Sequence, residues 1–221
     1  MELNIKRIID LSQPIFDKCP GNPVFPKVSV KIITSYEKDG WLTECIDIAT
    51  HISSHIDAPA HLLRGGKTID QIPLKRFQGS AIPIALYQKS KDEEILREDL
   101  FPYETRIQEG DFVLLCTGWG EKRATTDEYL LHSPWLGEEA AKWLVEKKVN
   151  GVGIDHFSIG GANPDHVQIP HKILLEAEVL IIEELYLPKV LLERERWYLV
   201  VFPLRLSGAG GSLVRAVAME L

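Results

Sequence analysis

The sequence predicts an α/β fold built on one mixed β-sheet that is strongly curved or partly closed. Short apolar segments with strand character recur along the chain, and two amphipathic segments with helical character lie between them. The chain has 221 residues, of which 45% are apolar, and this is enough for one well-packed core. Because no Ser/Gly tract or charge block marks a boundary, we expect a single domain over residues 1–221.

The first half of the chain supplies strands. Residues 28–36 and 41–50 alternate well enough to predict a hairpin across the turn EKDG, and the second strand leads directly to His51. Residues 79–88 and 111–119 are predicted as further strands. The second of these is apolar enough to lie in the centre of a sheet.

The second half predicts a β-α-β unit. Residues 137–149 are predicted as a helix, because acidic residues occupy the first turn and lysines the last, as the helix dipole prefers. A short strand at 150–155 follows. The remaining predictions are a helix at 171–178 and strands at 179–185, 197–206 and 214–220, with a turn at the glycine-rich SGAGGS.

Composition excludes several classes of function. The formal charge of −7 argues against a nucleic-acid partner. No segment approaches the roughly 18 apolar residues of a membrane span, so we expect a soluble cytoplasmic protein that acts on a small molecule. Cys19, Cys45 and Cys116 are odd in number and lack a CxxC pair, which indicates neither a disulfide framework nor a thiolate metal site.

The segment HISSHIDAPAH, residues 51–61, concentrates His51, His55, Asp57 and His61 in eleven positions. Their spacings are all even, so an extended chain would place the four side chains on one face. A helix would put Asp57 and His61 on the side opposite the first two histidines, at about 100° per residue. A straight strand would spread the ten steps over roughly 33 Å, which no single ion spans.

Bends at 53–54 and at 58–59 resolve this conflict, because they fold the common face into a pocket. Two imidazoles and a carboxylate fit zinc or manganese, and one histidine is left over. His171 follows a proline at a predicted helix start, where the dipole disfavours protonation and suits a metal ligand. Glu183 lies near the end of the next apolar strand, so it could meet His171, although its neighbour Glu184 is an alternative.

These residues give the chain a resemblance to the metal-dependent cyclase family, which includes bacterial N-formylkynurenine formamidase and the isatin hydrolases. The family signature H-x-G-T-H-x-D-x-P-x-H is matched at every histidine, the aspartate and the proline, with Ser53-Ser54 in place of Gly-Thr. Further segments follow in family order. They are GDFVLLCTGW, GIDHFSI, HKILLEAEVLIIEEL and FPLRLSGAGGSLVRAVA.

The resemblance implies a role for each candidate residue. His51, His55 and Asp57 would bind metal, and His61 would transfer protons. A second metal position, where the family has one, would be completed by His171 and Glu183. The resemblance also implies a swivelling β/β/α-type fold and a homo-oligomer, which we expect to be a homodimer or homotetramer.

The substrate is less closely specified. In the formylkynurenine formamidases an aromatic residue precedes a Pro-Gly pair near the N-terminus and stacks on the substrate, whereas Cys19 precedes Pro20-Gly21 here. Phe25 could take the place of this aromatic residue only if it reaches the substrate from a different position in the chain. Trp119 follows a predicted strand and fits core packing or substrate contact equally well.

Three functions follow from these observations. The first is hydrolysis of a C–N amide bond in N-formylkynurenine, a formanilide or a cyclic amide such as isatin, with the metal activating water and His61 shuttling the proton. The second is a lyase or cyclase reaction through a metal-stabilised enolate. The third is non-catalytic binding of a metal or ligand, which leaves His61 without an evident role.

Overall fold

The computed structural model describes residues 4–221. Its strands are β1 (Arg7–Asp10), β2 (Ser29–Thr34), β3 (Thr43–Asp47), β4 (His55–Asp57), β5 (Gln78–Ala85), β6 (Glu94–Ile95), β7 (Phe112–Cys116), β8 (Trp135–Leu136), β9 (Gly151–Ile154), β10 (Leu180–Glu183), β11 (Trp197–Val200), β12 (Gly211–Leu213) and β13 (Val217–Glu220). The α-helices are α1 (Tyr36–Asp39), α2 (Arg97–Leu100), α3 (Asp127–Leu131), α4 (Glu138–Glu146) and α5 (Gln168–Glu176). Short 3-10 helices include Pro59–His61 and Trp119–Lys122.

Nine strands form one mixed sheet in the order β1-β13-β11-β5-β7-β9-β10-β4-β12. The central neighbours β5, β7, β9 and β10 are parallel, and the outer pairs are antiparallel. Strands β7 and β9 pair directly and are connected through α4, which confirms the predicted β-α-β unit. The mixed sheet of the predicted α/β fold is therefore present.

The sheet is curled rather than flat. Ser12, just beyond β1 at one edge, forms a bridge with Leu185, just beyond β10 near the other edge. Next to this bridge, the backbone N–H of Tyr186 donates to the carbonyl of Leu11 at 2.8 Å. Because strands far apart in the sheet order meet in this way, the sheet is partly closed, as the sequence predicted.

Each face of the sheet packs against its own apolar core. Strand β7 is buried along its whole length, and its alternate residues serve the two cores. Val113 and Leu115 pack toward α4 and α5, whereas Phe112 and Leu114 pack on the opposite face with Trp197. Burial on both faces explains why this strand is continuously apolar in the sequence.

The predicted hairpin of residues 28–50 forms outside the main sheet. Strands β2 and β3 pair only with each other among the described residues, as an antiparallel two-stranded unit. The predicted turn contains the one-turn helix α1, which Gly40 ends with a φ of 81°. A side chain would be strained in that left-handed conformation, so glycine suits this position.

Several boundaries differ from the predictions. Helix α5 begins at Gln168, earlier than predicted, because proline is tolerated in the first turn of a helix, and Pro170 therefore lies inside it. The glycine-rich segment is not only a turn, since its last residues enter β12. Strand β1 was not predicted. Within residues 4–221, no helix combines the length and apolarity needed to cross a bilayer.

Candidate metal centre

The histidine-rich segment changes direction at both of the predicted bends. Ser53 has a left-handed backbone with a φ of 61°, and the chain then enters β4. After Ala58 the chain turns again into the 3-10 helix that ends at His61. Strand β4 lies between β10 and β12, and this placement sets its side chains beside those of β10.

Glycines of the SGAGGS segment make room for the histidines. A Cβ atom on Gly211 would lie 2.5 Å from Cε1 of His51, and one on Gly210 would lie 3.0 Å from Cα of His61. Strand β12 can therefore approach the histidine turn only because these residues lack side chains. The sequence showed the glycines but not the partner that they accommodate.

One group of possible metal ligands contains His51, Asp57 and His61. A ligand atom from each of these residues lies within 4.8 Å of the others. His51 Nδ1 is 2.7 Å from Asp57 Oδ1. The rings of His51 and His61 have centroids 4.0 Å apart, so His61, which the sequence pattern left outside the ligand set, is itself a member of this group.

A second group contains His55, Asp57 and Glu183, again with ligand atoms within 4.8 Å of one another. His55 Nε2 is 3.2 Å from Glu183 Oε2 and 3.5 Å from Asp57 Oδ1. His171 joins this group from α5, with Nε2 2.9 Å from Glu183 Oε1. Helix α5 and strand β10 thus bring their opposite ends together, and Asp57 is common to both groups.

The electrostatic potential in these groups favours positive charge. Burial lowers the pKa of His55, but the Glu183 and Asp57 carboxylates outweigh burial and raise it to about 9. Burial likewise opposes the effect of Glu183 on His171, whose pKa is raised to about 8. Burial would raise the pKa of Glu183, yet the two histidines hold it well below its ordinary value. The same potential would stabilise a bound cation.

Two buried atoms here have no hydrogen-bond partner within residues 4–221. They are His55 Nε2 and Asp57 Oδ2. His55 Nδ1 lies 2.7 Å from the carbonyl of Ser53, so in the neutral imidazole that a metal ion binds, Nδ1 carries the proton and the Nε2 lone pair faces the carboxylates. His171 is oriented similarly, because its Nδ1 lies 2.8 Å from the carbonyl of Val167. Lone pairs that converge with carboxylates in a buried site fit a divalent metal ion.

Glu184, the alternative to Glu183, points away from these groups. Its Oε1 accepts a hydrogen bond from Nε of Arg123 at 2.7 Å, in an ion pair that is almost fully buried. Its Oε2 accepts from the backbone N–H of Ser53, also at 2.7 Å. Glu184 therefore supports the turn that carries the histidines, whereas Glu183 faces the possible ligands.

A cavity of about 400 Å³ opens above the two groups. His51, His61, His171 and Glu183 form its polar floor. Its apolar walls are formed by Pro23, Val24, Phe25, Leu62, Leu131 and Phe157. A volume in the range of about 300–1,000 Å³ is typical of small-molecule sites.

The two aromatic residues suggested as substrate contacts differ in position. Phe25 lines the cavity and stacks on His51, with centroids 6.2 Å apart and planes at 25°. The hypothesis that Trp119 contacts the substrate is wrong, because Trp119 is 2% exposed and does not line the cavity. Its indole packs with Tyr129 and Phe157, and its N–H donates to the carbonyl of Tyr129. Phe157, which the sequence did not single out, lines the cavity instead.

Comparison with protein families gives a match to the family described as "Putative cyclase" over residues 9–160. The kynurenine formamidase of Bordetella avium is 30% identical over 98% of this chain and 100% of its own length. The kynurenine formamidase of Bacillus anthracis is 27% identical over 95% of both chains.

Solved structures show the same architecture. A protein from Bacillus stearothermophilus, described as a predicted metal-dependent hydrolase, has a TM-score of 0.79 and 32% identity over 97% of this chain and 98% of its own. Isatin hydrolase A from Labrenzia aggregata has a TM-score of 0.84 and 25% identity over 96% and 93% of the two chains. With the ligand geometry above, these matches establish that the chain belongs to the cyclase family.

Proposed function

We propose that this protein is a metal-dependent hydrolase that cleaves the C–N amide bond of an aryl amide, such as N-formylkynurenine, a formanilide or isatin. The observation that carries the proposal is a pair of buried atoms, His55 Nε2 and Asp57 Oδ2, that have no hydrogen-bond partner in the described part of the chain and lie beneath an apolar cavity. The relatives named kynurenine formamidase and isatin hydrolase support this chemistry.

The metal would be zinc or manganese, since both accept imidazole nitrogen and carboxylate oxygen. His51, His55 and Asp57 would hold the first ion, and His171 and Glu183 would complete a second position if two ions bind. When bound, the metal lowers the pKa of water and polarises the amide carbonyl. Elemental analysis of the purified protein determines which metal is bound and how many ions each chain holds.

His61 is the residue that we propose moves the proton. It lines the cavity and lies against His51, within reach of a substrate held above the ligand groups. A neutral imidazole there can accept a proton from the attacking water and return it to the leaving nitrogen. Phe25 and Phe157 would bind the aryl group and exclude water, because both line the apolar wall.

The His61→Ala variant tests this role. If His61 transfers protons and does not bind the metal, the variant should keep its metal while kcat falls by about 100- to 10,000-fold. As a ligand, its loss should deplete metal and activity together, and added zinc or manganese should restore both. Metal content and kcat measured on one preparation distinguish these outcomes, and metal-dependent recovery of activity would contradict the proton-transfer role.

The alternative reactions give different products. Hydrolysis in oxygen-18 water places label in the carboxylate product, whereas elimination or cyclisation through an enolate need not. An assay of the metal-loaded protein against N-formylkynurenine, isatin and formanilide should therefore be followed by mass spectrometry. Absence of turnover with all three substrates would favour a non-catalytic binding role.

We also propose that the protein is a homodimer or homotetramer with no nucleic-acid or membrane partner. The hairpin of β2 and β3 supports self-association, because Ile32 is 69% and Trp41 is 60% exposed on a two-stranded unit outside the main sheet. An isolated hairpin is marginally stable in water. A cytoplasmic location is a further part of the proposal, and the three free cysteines are consistent with it.

A further inference from the structure

The walls of the cavity provide no positive side chain. Among residues 4–221, those lining the cavity include neither lysine nor arginine. The uncharged polar side chains are Asn22, Ser158 and Gln168. Glu183 is the one carboxylate that the described residues contribute to the lining, and it lies at the floor among the possible metal ligands.

Two basic residues of neighbouring segments, Arg123 and Lys122, are engaged in other contacts. The guanidinium of Arg123 donates to Glu184 and to the carbonyls of Pro14 and Pro20. Lys122 lies over the ring of Trp119, at 4.1 Å from its centroid, and donates to Glu128. Turning either side chain toward the cavity would break these contacts, so neither is available to a ligand.

The mouth of the cavity is also apolar. Val24 is 77% and Leu131 is 45% exposed, and both belong to the lining. A substrate that enters between them loses water from its surface without gaining a lysine or arginine as a partner. Removing an ionised carboxylate from water is unfavourable unless a cation or several donors replace the water.

We infer that the substrate is an uncharged aryl amide, and that the enzyme discriminates against amides whose aryl end bears a carboxylate. This inference rests on the proposed function and narrows its substrate class. N-formylkynurenine carries an amino-acid carboxylate at the end remote from the formyl group. Formanilide and isatin carry no charge, so they match the walls of this cavity better.

A matched pair of substrates isolates the charge. In 4-formamidobenzoate and its methyl ester, the formyl group and the ring are the same, and the carboxylate lies at the end remote from the metal. We expect the metal-loaded enzyme to hydrolyse the ester with a kcat/KM at least about tenfold higher, which corresponds to about 1.4 kcal/mol. Formanilide should resemble the ester, and N-formylkynurenine, whose amino-acid end carries both a carboxylate and an ammonium group, should also be hydrolysed less well than the ester.

A variant tests whether the wall is the origin of this preference. Gln168→Arg places a cation on the first turn of α5, at the cavity. We expect it to reduce the ratio of ester to acid kcat/KM by about tenfold, whereas Gln168→Leu, the size-matched neutral control, should leave the ratio high. An unchanged ratio in Gln168→Arg would overturn the assignment of the preference to the cavity wall.

The outcomes separate the two proposals. If the carboxylate substrates are hydrolysed as well as or better than the neutral ones, the inference is wrong while the proposed amide hydrolysis stands. If the metal-loaded protein hydrolyses none of the amides, the proposed function itself fails. A preference for the ester that disappears in Gln168→Arg supports both.

Discussion

Asp57 is shared by both groups of possible ligands, and one of its oxygens has no protein donor within residues 4–221. Asp57→Asn keeps the size of the side chain but replaces one oxygen by an N–H donor that would point at the cation. We expect the purified variant to lose bound metal, as measured by elemental analysis. Asp165→Asn, on an exposed loop beside the cavity, is the matched control and should keep its metal. Full metal content in Asp57→Asn would contradict the assignment.

Glu183 and Glu184 are adjacent, and the structure predicts different consequences for their loss. Glu183→Gln should weaken metal affinity by at least about 10- to 100-fold, since the loss of even an outer-sphere partner has an effect of this size. Metal titration measures the affinity, and urea unfolding of the metal-free protein measures the stability. Unchanged affinity would remove Glu183 from the ligand set.

Glu184→Gln should instead destabilise the fold. It leaves the buried Arg123 guanidinium without its counterion, and breaking a buried ion pair from one side costs about 3–5 kcal/mol. The double variant Arg123→Met, Glu184→Gln should lose less than the sum of the single losses, because no unpaired charge remains. Glu138→Gln, which removes an exposed pair with Lys142, should change stability by less than about 0.5 kcal/mol. A similarly small change in Glu184→Gln would show that the pair does not stabilise the turn.

The sequence distinguished these two glutamates only through family position. Both are buried at the end of the same apolar strand. Strand periodicity places adjacent side chains on opposite faces of the sheet, but it does not indicate which face carries the site. The left-handed backbone of Glu184, with a φ of 52°, and its contact with Arg123 depend on the folded chain. No local pattern signals an ion pair between residues 61 positions apart.

The turn between His51 and His55 is the element in which this chain departs from the family signature. Ser53 has the left-handed backbone that glycine would adopt without strain, with a φ of 61°. Three hydrogen bonds hold it there. Its N–H donates to Glu184, its hydroxyl donates to the carbonyl of Gln13, and its own carbonyl accepts from His55.

Ser53→Gly and Ser53→Ala together measure the backbone strain of this turn. Both variants lose the hydroxyl, but only alanine keeps the Cβ atom that the left-handed conformation disfavours. We expect Ser53→Gly to be more stable than Ser53→Ala by about 1 kcal/mol in urea unfolding of the metal-free protein. Equal stabilities would show that the surrounding hydrogen bonds, and not backbone strain, determine the tolerance of this position.

Elements with strong local signals were predicted best. Strand β7 and helix α4 were identified from an apolar run and from terminal charges, and both are present. The strands β4 and β12 have only three residues each, and they exist because they complete the sheet beside β10. Their pairing is a property of the folded chain, so periodicity could not reveal it. The bends around β4 were predicted because the metal hypothesis required them.

The site depends on the sheet order of the whole molecule. Residues 51–61 are far in sequence from His171 and Glu183, and they meet because β4 inserts next to β10 while α5 packs against the same strand. The family resemblance predicted this convergence, whereas composition and spacing only made it plausible. A curled sheet then places the floor of the cavity beneath loops from three parts of the chain.

The hairpin of β2 and β3 provides the last prediction, which concerns self-association. Its exposed apolar residues include Ile32, Trp41 and Ile46, and burial in a second copy of the chain would remove them from water. We expect light scattering to give at least twice the 25.0 kDa chain mass. Ile32→Lys combined with Trp41→Lys should yield a monomer with native circular dichroism, because charged side chains oppose burial of this surface.

Lys31→Ala, which replaces a charged residue of the same strand, is the control, and this variant should remain associated. The arrangement of the interface also determines whether association affects the site, since the hairpin connects the cavity residue Phe25 to the possible metal ligand His51. If association is needed to hold the hairpin in place and so to position Phe25 and His51, activity measured across a dilution series should fall as the associated fraction falls. A wild-type protein that is monomeric at all concentrations would refute the proposed homo-oligomer.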